Sequence, residues 1–479
     1  MKQSLLVLAL ATVAGCAAGP DFQRPSPSLP QAWERVDGTR ASAVVDSAWW
    51  QQLGDAQLTA LVERAAQANL DVRTASNRLE QSQSLRQVSG SQQLPGVSAR
   101  GAYQRQRNSA EGLNDPSGEN GRAPFELWSG ALDASWELDL WGHVQRSVEM
   151  ADAQVQLSQA QRDGVVLSIS AQTASDYIRL RGVQAKLAVA KQNLDIARQS
   201  EQLTQTRYEN GVTTHLDTAN AAALVATIEA EVPVLQAEQD RLINAISYLL
   251  GEPPRALAGQ LLTPRAIPNP APDVPMGLPS TLAQRRPDIQ QSEAALHRAT
   301  AAIGVAQADF YPRVSLGASF GFQSLAGSDL GGWDARSWSY GPSLYLPIFQ
   351  GGRLTGTLQL RERQQQEAAL DYQRVVLNAW HEVDDAMSDY AAEKRHYTAL
   401  DEAVRQNGLA LSTARDRYDQ GVTDFINVLT VQRALLATQS ALVDSATAAA
   451  LDRVRLYRAL GGGWPQVAAP DSTPGAASR

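Results

Sequence analysis

The 479-residue chain carries 42 Lys and Arg against 50 Asp and Glu, a formal net charge of −8 without the basic face of a nucleic-acid binder, so no nucleic-acid partner is expected. Aromatic residues make up only 6%, while Ala, Gln, Leu and Arg are abundant, as in long helices packed through small side chains. A single cysteine, Cys16, excludes an internal disulfide framework.

Met1-Lys2 and the apolar run Leu5–Val13 have the charged start and short apolar core of a secretory signal, and residues 1–15 read as a signal peptide. The run is too short to span a bilayer as a helix. It ends at Val13-Ala14-Gly15-Cys16, which resembles a bacterial lipobox, so Cys16 is expected to carry diacylglycerol and an N-palmitoyl chain after cleavage. Ala17 follows, and the absence of Asp there resembles lipoproteins sorted to the outer membrane. Residues 16–46, with Pro20, Pro25, Pro27 and Pro30, read as an extended lipidated tether.

Helical patterning begins near Ala48-Trp49-Trp50 and continues, with a turn around Ala68-Asn69, to about Gln93. The period then changes to two. Val97, Ala99, Gly101 and Tyr103 alternate with polar residues, predicting a strand at about 97–105. Trp128, Leu132, Ala134, Trp136, Leu138 and Leu140 oppose Ser129, Asp133, Ser135, Glu137 and Asp139, predicting a second at about 128–140. Two more follow at about 314–322 and 338–348, each pair joined by a polar loop (Asn108–Pro124 and Gln323–Arg336).

Between the strand pairs lie long helices. No proline occurs from Phe125 to Val232, nor between Pro347 and Pro465. Leu157, Ala160, Gly164, Leu167, Ala171, Ala174 and Ile178 recur at alternating three- and four-residue spacing, as do Val376, Trp380, Val383, Met387 and Tyr390, which marks coiled-coil seams. A helix from His143 to about Arg207 would be on the order of 95 Å long. After the signal, no stretch of about 18 uninterrupted apolar residues exists, so no helix is expected to cross a bilayer.

The chain also repeats itself. Asp71 matches Asp288 and Pro95 matches Pro312 without a gap. Arg207-Tyr-Glu-Asn-Gly-Val-Thr-Thr-His-Leu-Asp217 corresponds to Arg417-Tyr-Asp-Gln-Gly-Val-Thr-Asp-Phe-Ile-Asn427, and Leu250-Gly251 to Leu460-Gly461. These echoes define a first repeat at 47–250, a Pro-rich connection at 251–280, a second repeat at 281–464 and a disordered tail at 465–479. The fold class is α+β, with four strands and long coiled-coil helices per chain.

The five histidines are scattered, with no His-x-x-x-His or Glu-x-x-His ligand spacing, and no nucleophile elbow or phosphate loop occurs. An enzyme is therefore not expected, nor a metal site. Trp and Tyr near strand ends, with carboxylates on the opposite face, fit a lipid-facing barrel with a wet lumen. Four strands cannot close such a barrel, because open sheet edges are not tolerated in hydrocarbon. Two copies give eight strands with a filled interior; three give twelve and an aqueous lumen. A periplasmic coiled-coil lipoprotein explains the helices but not the strands.

Cys16-Ala-Ala-Gly-Pro-Asp-Phe-Gln-Arg-Pro25, Trp136-Glu-Leu-Asp-Leu-Trp-Gly142, Gln284-Arg-Arg-Pro-Asp-Ile289 and Ala459-Leu-Gly-Gly-Gly-Trp464 resemble the outer membrane factor (TolC-like) family, with its OprM- and NodT-type lipoprotein branch the nearer match. That resemblance implies a homotrimer in the outer membrane of a Gram-negative bacterium, with a twelve-stranded barrel continuous with a helical periplasmic tunnel. It implies a passive exit duct for drugs or other small toxic compounds, a periplasmic membrane-fusion adaptor and an inner-membrane pump of the RND class. A type I secretion or metal-efflux outlet is the alternative within the family.

It also assigns the hairpin turns at Gly211 and Gly421 to the periplasmic tip, where the adaptor docks and the aperture closes. Asp217 and Tyr418 match a gate network, and a hydrogen bond between them is expected to hold the inner helices closed, with Tyr208 beside the first turn and Arg433 one turn further along. Ile426, Asn427 and Thr430 occupy the aperture. Many relatives carry aspartate rings at positions matching Asn427 and Thr430, and the neutral residues here predict a weak electrostatic collar.

Overall fold

The computed structural model describes residues 17–26, 48–109, 123–268 and 285–462. The expected signal peptide, Cys16, the expected tether beyond Ser26, part of the first interstrand loop, the end of the Pro-rich connection and the tail lie outside them. The chain divides into two compact units. One contains residues up to Ser26, Arg78–Ser158 and Gln291–Tyr372; the other contains Pro27–Asn77, Gln159–Gln290 and Gln373–Arg479. Each unit therefore draws on both repeats.

The first unit holds a four-stranded antiparallel sheet in the order β1 (Gly96–Gln106), β2 (Phe125–Leu138), β3 (Arg313–Ser324), β4 (Arg336–Tyr345). Its register sets like beside like. Ala99 faces Leu132, Leu132 faces Phe320, and Phe320 faces Trp338. On the other side Ser98 faces Asp133, Asp133 faces Ser319, and Ser319 faces Ser339. The polar face is knitted by Arg100–Asp133 at 3.3 Å and by the Ser315 and Ser343 hydroxyls at 2.7 Å. The apolar face is bare: Val97 is 72% exposed, Leu132 56%, Trp338 65% and Tyr340 79%.

Two strands, β2 and β4, are bounded differently from the alternation. β2 starts earlier, at Phe125, because Gln106 extends its ladder, and it stops at Leu138, short of Leu140. Asp139 turns back there, and its carboxylate accepts from the Gln145 amide at 2.7 Å, capping the start of the next helix. β4 stops at Tyr345, opposite the first residue of β3, so Leu346 and Ile348 lie beyond the ladder. Pro347, between them, has no N–H to extend it.

Residues 17–26 are extended, as the tether reading expects, but they are docked rather than loose. Ala18 donates its N–H to the Trp141 carbonyl at 2.9 Å, Phe22 stacks on His297 at 4.3 Å, and Arg24 pairs with Glu293 at 2.9 Å. Arg146, only 5% exposed, donates to the Ala18 carbonyl at 3.1 Å and to Asp21 at 2.6 Å. The approach requires Gly304, where a Cβ would stand 2.8 Å from the Ala18 carbonyl oxygen. The composition signals an extended segment; it carries no sign of the surface that receives it.

In the second unit a short 3₁₀ turn (Trp49–Leu53) precedes α1 (Ala56–Ala68), whose N-terminus Asp55 caps through the Gln57 and Leu58 amides. Trp49 is fully buried and stacks on Tyr457 at 5.4 Å. Tyr177, also fully buried, donates its hydroxyl to Asp55 at 2.6 Å; burial, reinforced by that bond, pushes the phenol up to about 12. The Pro-rich connection is more than a linker: it forms α5 (Ala258–Leu261), with Leu257 and Leu261 buried. Arg181, fully buried, donates to the Thr263 carbonyl at 3.0 Å and to Gln57 Oε1 at 2.7 Å, which fixes that segment against α1.

The remaining helices show the duplication in their lengths. α2 (Leu70–Ser91) and α6 (Pro287–Ala308) each have 22 residues and are offset by 217 positions. α3 (His143–Glu209) and α7 (Arg353–Asp419) each have 67 residues, offset by 210, and α4 (His215–Leu249) and α8 (Phe425–Ala459) each have 35 at the same offset. The change in offset falls in the longer first interstrand loop. Along the expected seams Leu157, Ala160, Leu167, Ala171, Ala174 and Ile178 are all buried, as are Val376, Val383 and Met387.

By length and composition alone α4 and α8 are apolar enough to cross a membrane, each with an 18-residue window of mean hydropathy 1.2. Neither shows as an uninterrupted apolar run in the sequence. Their side chains instead form a buried seam: Leu224, Val225 and Ile228 of α4 join Val428, Leu429 and Leu435 of α8 in one cluster with Leu411 and Tyr418 of α7.

Candidate functional site: the tips of the two helical hairpins

The two hairpin tips, α3–α4 and α7–α8, both belong to the second unit. Each long helix ends in the same way. Val212 N–H donates to the Arg207 carbonyl at 2.8 Å and Gly211 N–H to the Tyr208 carbonyl at 2.9 Å. Val422 and Gly421 repeat these bonds to Arg417 and Tyr418, both at 2.9 Å. This is the Schellman arrangement, which requires a left-handed residue; Gly211 and Gly421 supply it with φ of +70° and +72°.

Asp217 sits in the first turn of α4, where its carboxylate accepts from the Thr213 hydroxyl at 2.6 Å, the Thr214 hydroxyl at 2.9 Å and the Thr214 amide at 3.3 Å. Burial alone would raise this carboxyl, but the two hydroxyls and the amide hold it below the ordinary aspartate range. The second tip has a neutral counterpart: Asn427 Nδ2 donates to the Thr423 hydroxyl at 2.8 Å.

Tyr418 does not bond to Asp217, which corrects the expected gate link. Its ring is buried, tilted against Phe425 at 5.5 Å, and covered by the Arg207 guanidinium at 4.1 Å from the centroid. Arg207 also donates to the Tyr418 carbonyl at 3.0 Å and the Asp419 carbonyl at 3.3 Å. The Tyr418 hydroxyl is buried with no hydrogen-bond partner. Asp217 is already occupied by its own cap, so the two groups serve separate structures. Arg433 is exposed, and among the described residues no hydrogen bond joins it to either.

The other assigned residues face outward. Tyr208 is 42% exposed and meets His215 edge-on at 5.9 Å. Ile426 is 50% exposed, Asn427 and Thr430 are exposed, and the Thr430 hydroxyl bonds back to the Ile426 carbonyl at 2.7 Å. Cys16 lies outside the described residues. The sequence assigns no role to Arg207, Thr213 or Thr214. Thr214 carries a legible signal, a hydroxyl residue three positions before a carboxylate at a helix start. The Arg207 contact joins residues from different repeats and has no local signature.

The sequence matches the outer membrane efflux protein family over residues 61–252 and 278–462. It is 32% identical over 464 residues to the outer membrane protein OprJ of Pseudomonas aeruginosa, covering 97% of this chain and 96% of that one. It is 30% identical over 473 residues to the probable efflux pump outer membrane protein TtgC of Pseudomonas putida, covering 97% and 96%. The solved structure of the outer-membrane channel OprN superposes with a TM-score of 0.87 at 33% identity, covering 94% of this chain and 100% of that chain. The chain thus has a four-stranded sheet with one bare apolar face and two long helical hairpins, and it belongs to the outer membrane efflux protein family.

Proposed function

We propose that this chain is one third of a homotrimeric, passive exit duct through which an inner-membrane pump, engaged by way of a periplasmic membrane-fusion adaptor, expels drugs or other small toxic compounds. The observation that carries the reading is the sheet: one continuous apolar face that nothing among the described residues covers, an opposite face of Ser, Asp, Glu and Arg, and two edge strands, β1 and β4, without a further strand beside them among the described residues. Such a face suits lipid, and such edges require further copies. Twelve strands from three chains leave a wet lumen, whereas eight from two leave a filled one. An efflux pump is the setting named for TtgC, which supports the pump assignment; the proton-driven RND class follows from the family resemblance.

The hairpin tips are the gate in this reading. Arg207 on Tyr418 ties the first tip to the second within the chain, and Ile426, exposed in one chain, packs against its counterparts around the aperture. Cys16 carries the lipid anchor. Docking of the adjacent Ala18 and Asp21 near the end of β2 supports that placement, because it would hold acyl chains beside the lipid-facing sheet. The test is planar-bilayer recording of full-length protein and of Arg207→Ala. Discrete conductance steps, larger in the variant, are expected; no steps from either protein would contradict the duct.

A further inference from the structure

The contact between the two tips runs one way. Arg207 of the first repeat covers Tyr418 of the second, and Nη2 also reaches the Asp419 carboxylate at 3.4 Å. The repeat mates of these groups are Arg417, Tyr208 and Glu209, at the common offset of 210. Arg417 is exposed, and among the described residues its side chain makes no hydrogen bond or ion pair. Tyr208 nevertheless presents the same platform as Tyr418: it meets His215 as Tyr418 meets Phe425, and it sits on the same Schellman turn. Its carbonyl accepts from Gly211 and retains a second lone pair, the one that Arg207 takes at Tyr418.

Were the two repeats related by a local two-fold axis, Arg417 would cover Tyr208 of its own chain. It does not, so the repeats are arranged head to tail, leaving a free donor on the second tip and a free acceptor on the first. A head-to-tail contact is completed only by another copy, and it closes into a ring when the rotation between copies closes, as in the duct proposed above. The sheet follows the same rule, since β2 of the first repeat pairs with β3 of the second.

We infer that Arg417 of each copy lies over Tyr208 of the next, with its guanidinium donating to the Tyr208 carbonyl and the Glu209 carboxylate, so that the closed tip is held by six Arg–Tyr contacts, three within chains and three between them. This rests on the ring-shaped duct proposed above. The second copy is favoured as occupant over an adaptor protein because the platform it must fill is already filled, in the other repeat, by the same residue type of this chain.

The test places Arg417→Cys and Glu209→Cys together in the full-length protein, with Arg207→Cys and Asp419→Cys as the in-chain control, and treats detergent-solubilised protein with a short bismaleimide. The first pair should convert the monomer band on a denaturing gel into dimer and trimer bands, whereas the control pair should stay at monomer mass. Co-expressed single variants Arg417→Cys and Glu209→Cys should yield only the dimer band. Light scattering on the same samples separates the two ideas. Three-chain particles with the 417/209 pair confined to monomer mass, linked or not, would overturn the inference and leave the duct standing; particles of one chain would overturn both.

Discussion

Arg207 lies across Tyr418 so that one guanidinium caps the ring at 4.1 Å and binds the carbonyl of the same residue at 3.0 Å. The tie between tips therefore runs through the ring and the backbone and does not involve the hydroxyl, which is buried and unpaired.

Tyr418→Phe should then leave channel conductance unchanged and thermal stability equal or slightly higher, since a buried unpaired hydroxyl costs on the order of 1–3 kcal/mol. Tyr418→Ala removes the platform, should cost about 3–5 kcal/mol, and should enlarge conductance steps. Bilayer recording with thermal unfolding of both variants checks this. A larger conductance in Tyr418→Phe would restore the hydroxyl to the gate.

The two tips should respond differently to acid. The Asp217 carboxyl is held below its ordinary range in the folded state, so its contribution is complete at neutral pH and is lost as pH falls through the folded value. Asn427 has no proton to gain. Hydrogen exchange at falling pH should show the first turn of α4 opening before that of α8, and Asp217→Asn should abolish the difference. Capping exchanges of this kind amount to about 1 kcal/mol. Simultaneous opening in the wild type would refute the assignment.

If the second tip forms the proposed aperture, neutral Asn427 and Thr430 should leave it without a strong cation site. Multivalent cations applied from the periplasmic side should block the wild type poorly, whereas Asn427→Asp with Thr430→Asp, which sets carboxylates around the pore in each copy, should create tight block. Tight block of the wild type would reveal another acidic ring.

The repeat also dictates how edge strands meet. Asp133 pairs with Ser319 in the chain; their repeat mates are Ser343 on β4 and Ala102 on β1. Ser343→Cys with Ala102→Cys should form a disulfide between copies, because directly paired strand residues bring their Cα atoms within disulfide reach. A pair shifted by one residue, Leu344→Cys with Ala102→Cys, should not. Bonding of the shifted pair alone would disprove the register.

Much of this was legible in advance because its signals are periodic. Alternation from Val97 and from Trp128 marks strands, and the proline-free seams from Leu157 and Val376 mark helices that prove to be 67 residues long. What escaped depends on distant partners. Residues 17–26 read as a tether because nothing local encodes the surface formed by Arg146 and Gly304. The family resemblance joins Asp217 to Tyr418, yet Thr213 and Thr214 satisfy the first and Arg207 covers the second.

The most direct test of the account is the mass of the protein component in detergent, measured by light scattering with the bound detergent subtracted. The account predicts three chains per particle, with no stable smaller species. A stable monomer or dimer would contradict it, because neither one chain nor two can turn this sheet into a water-filled barrel.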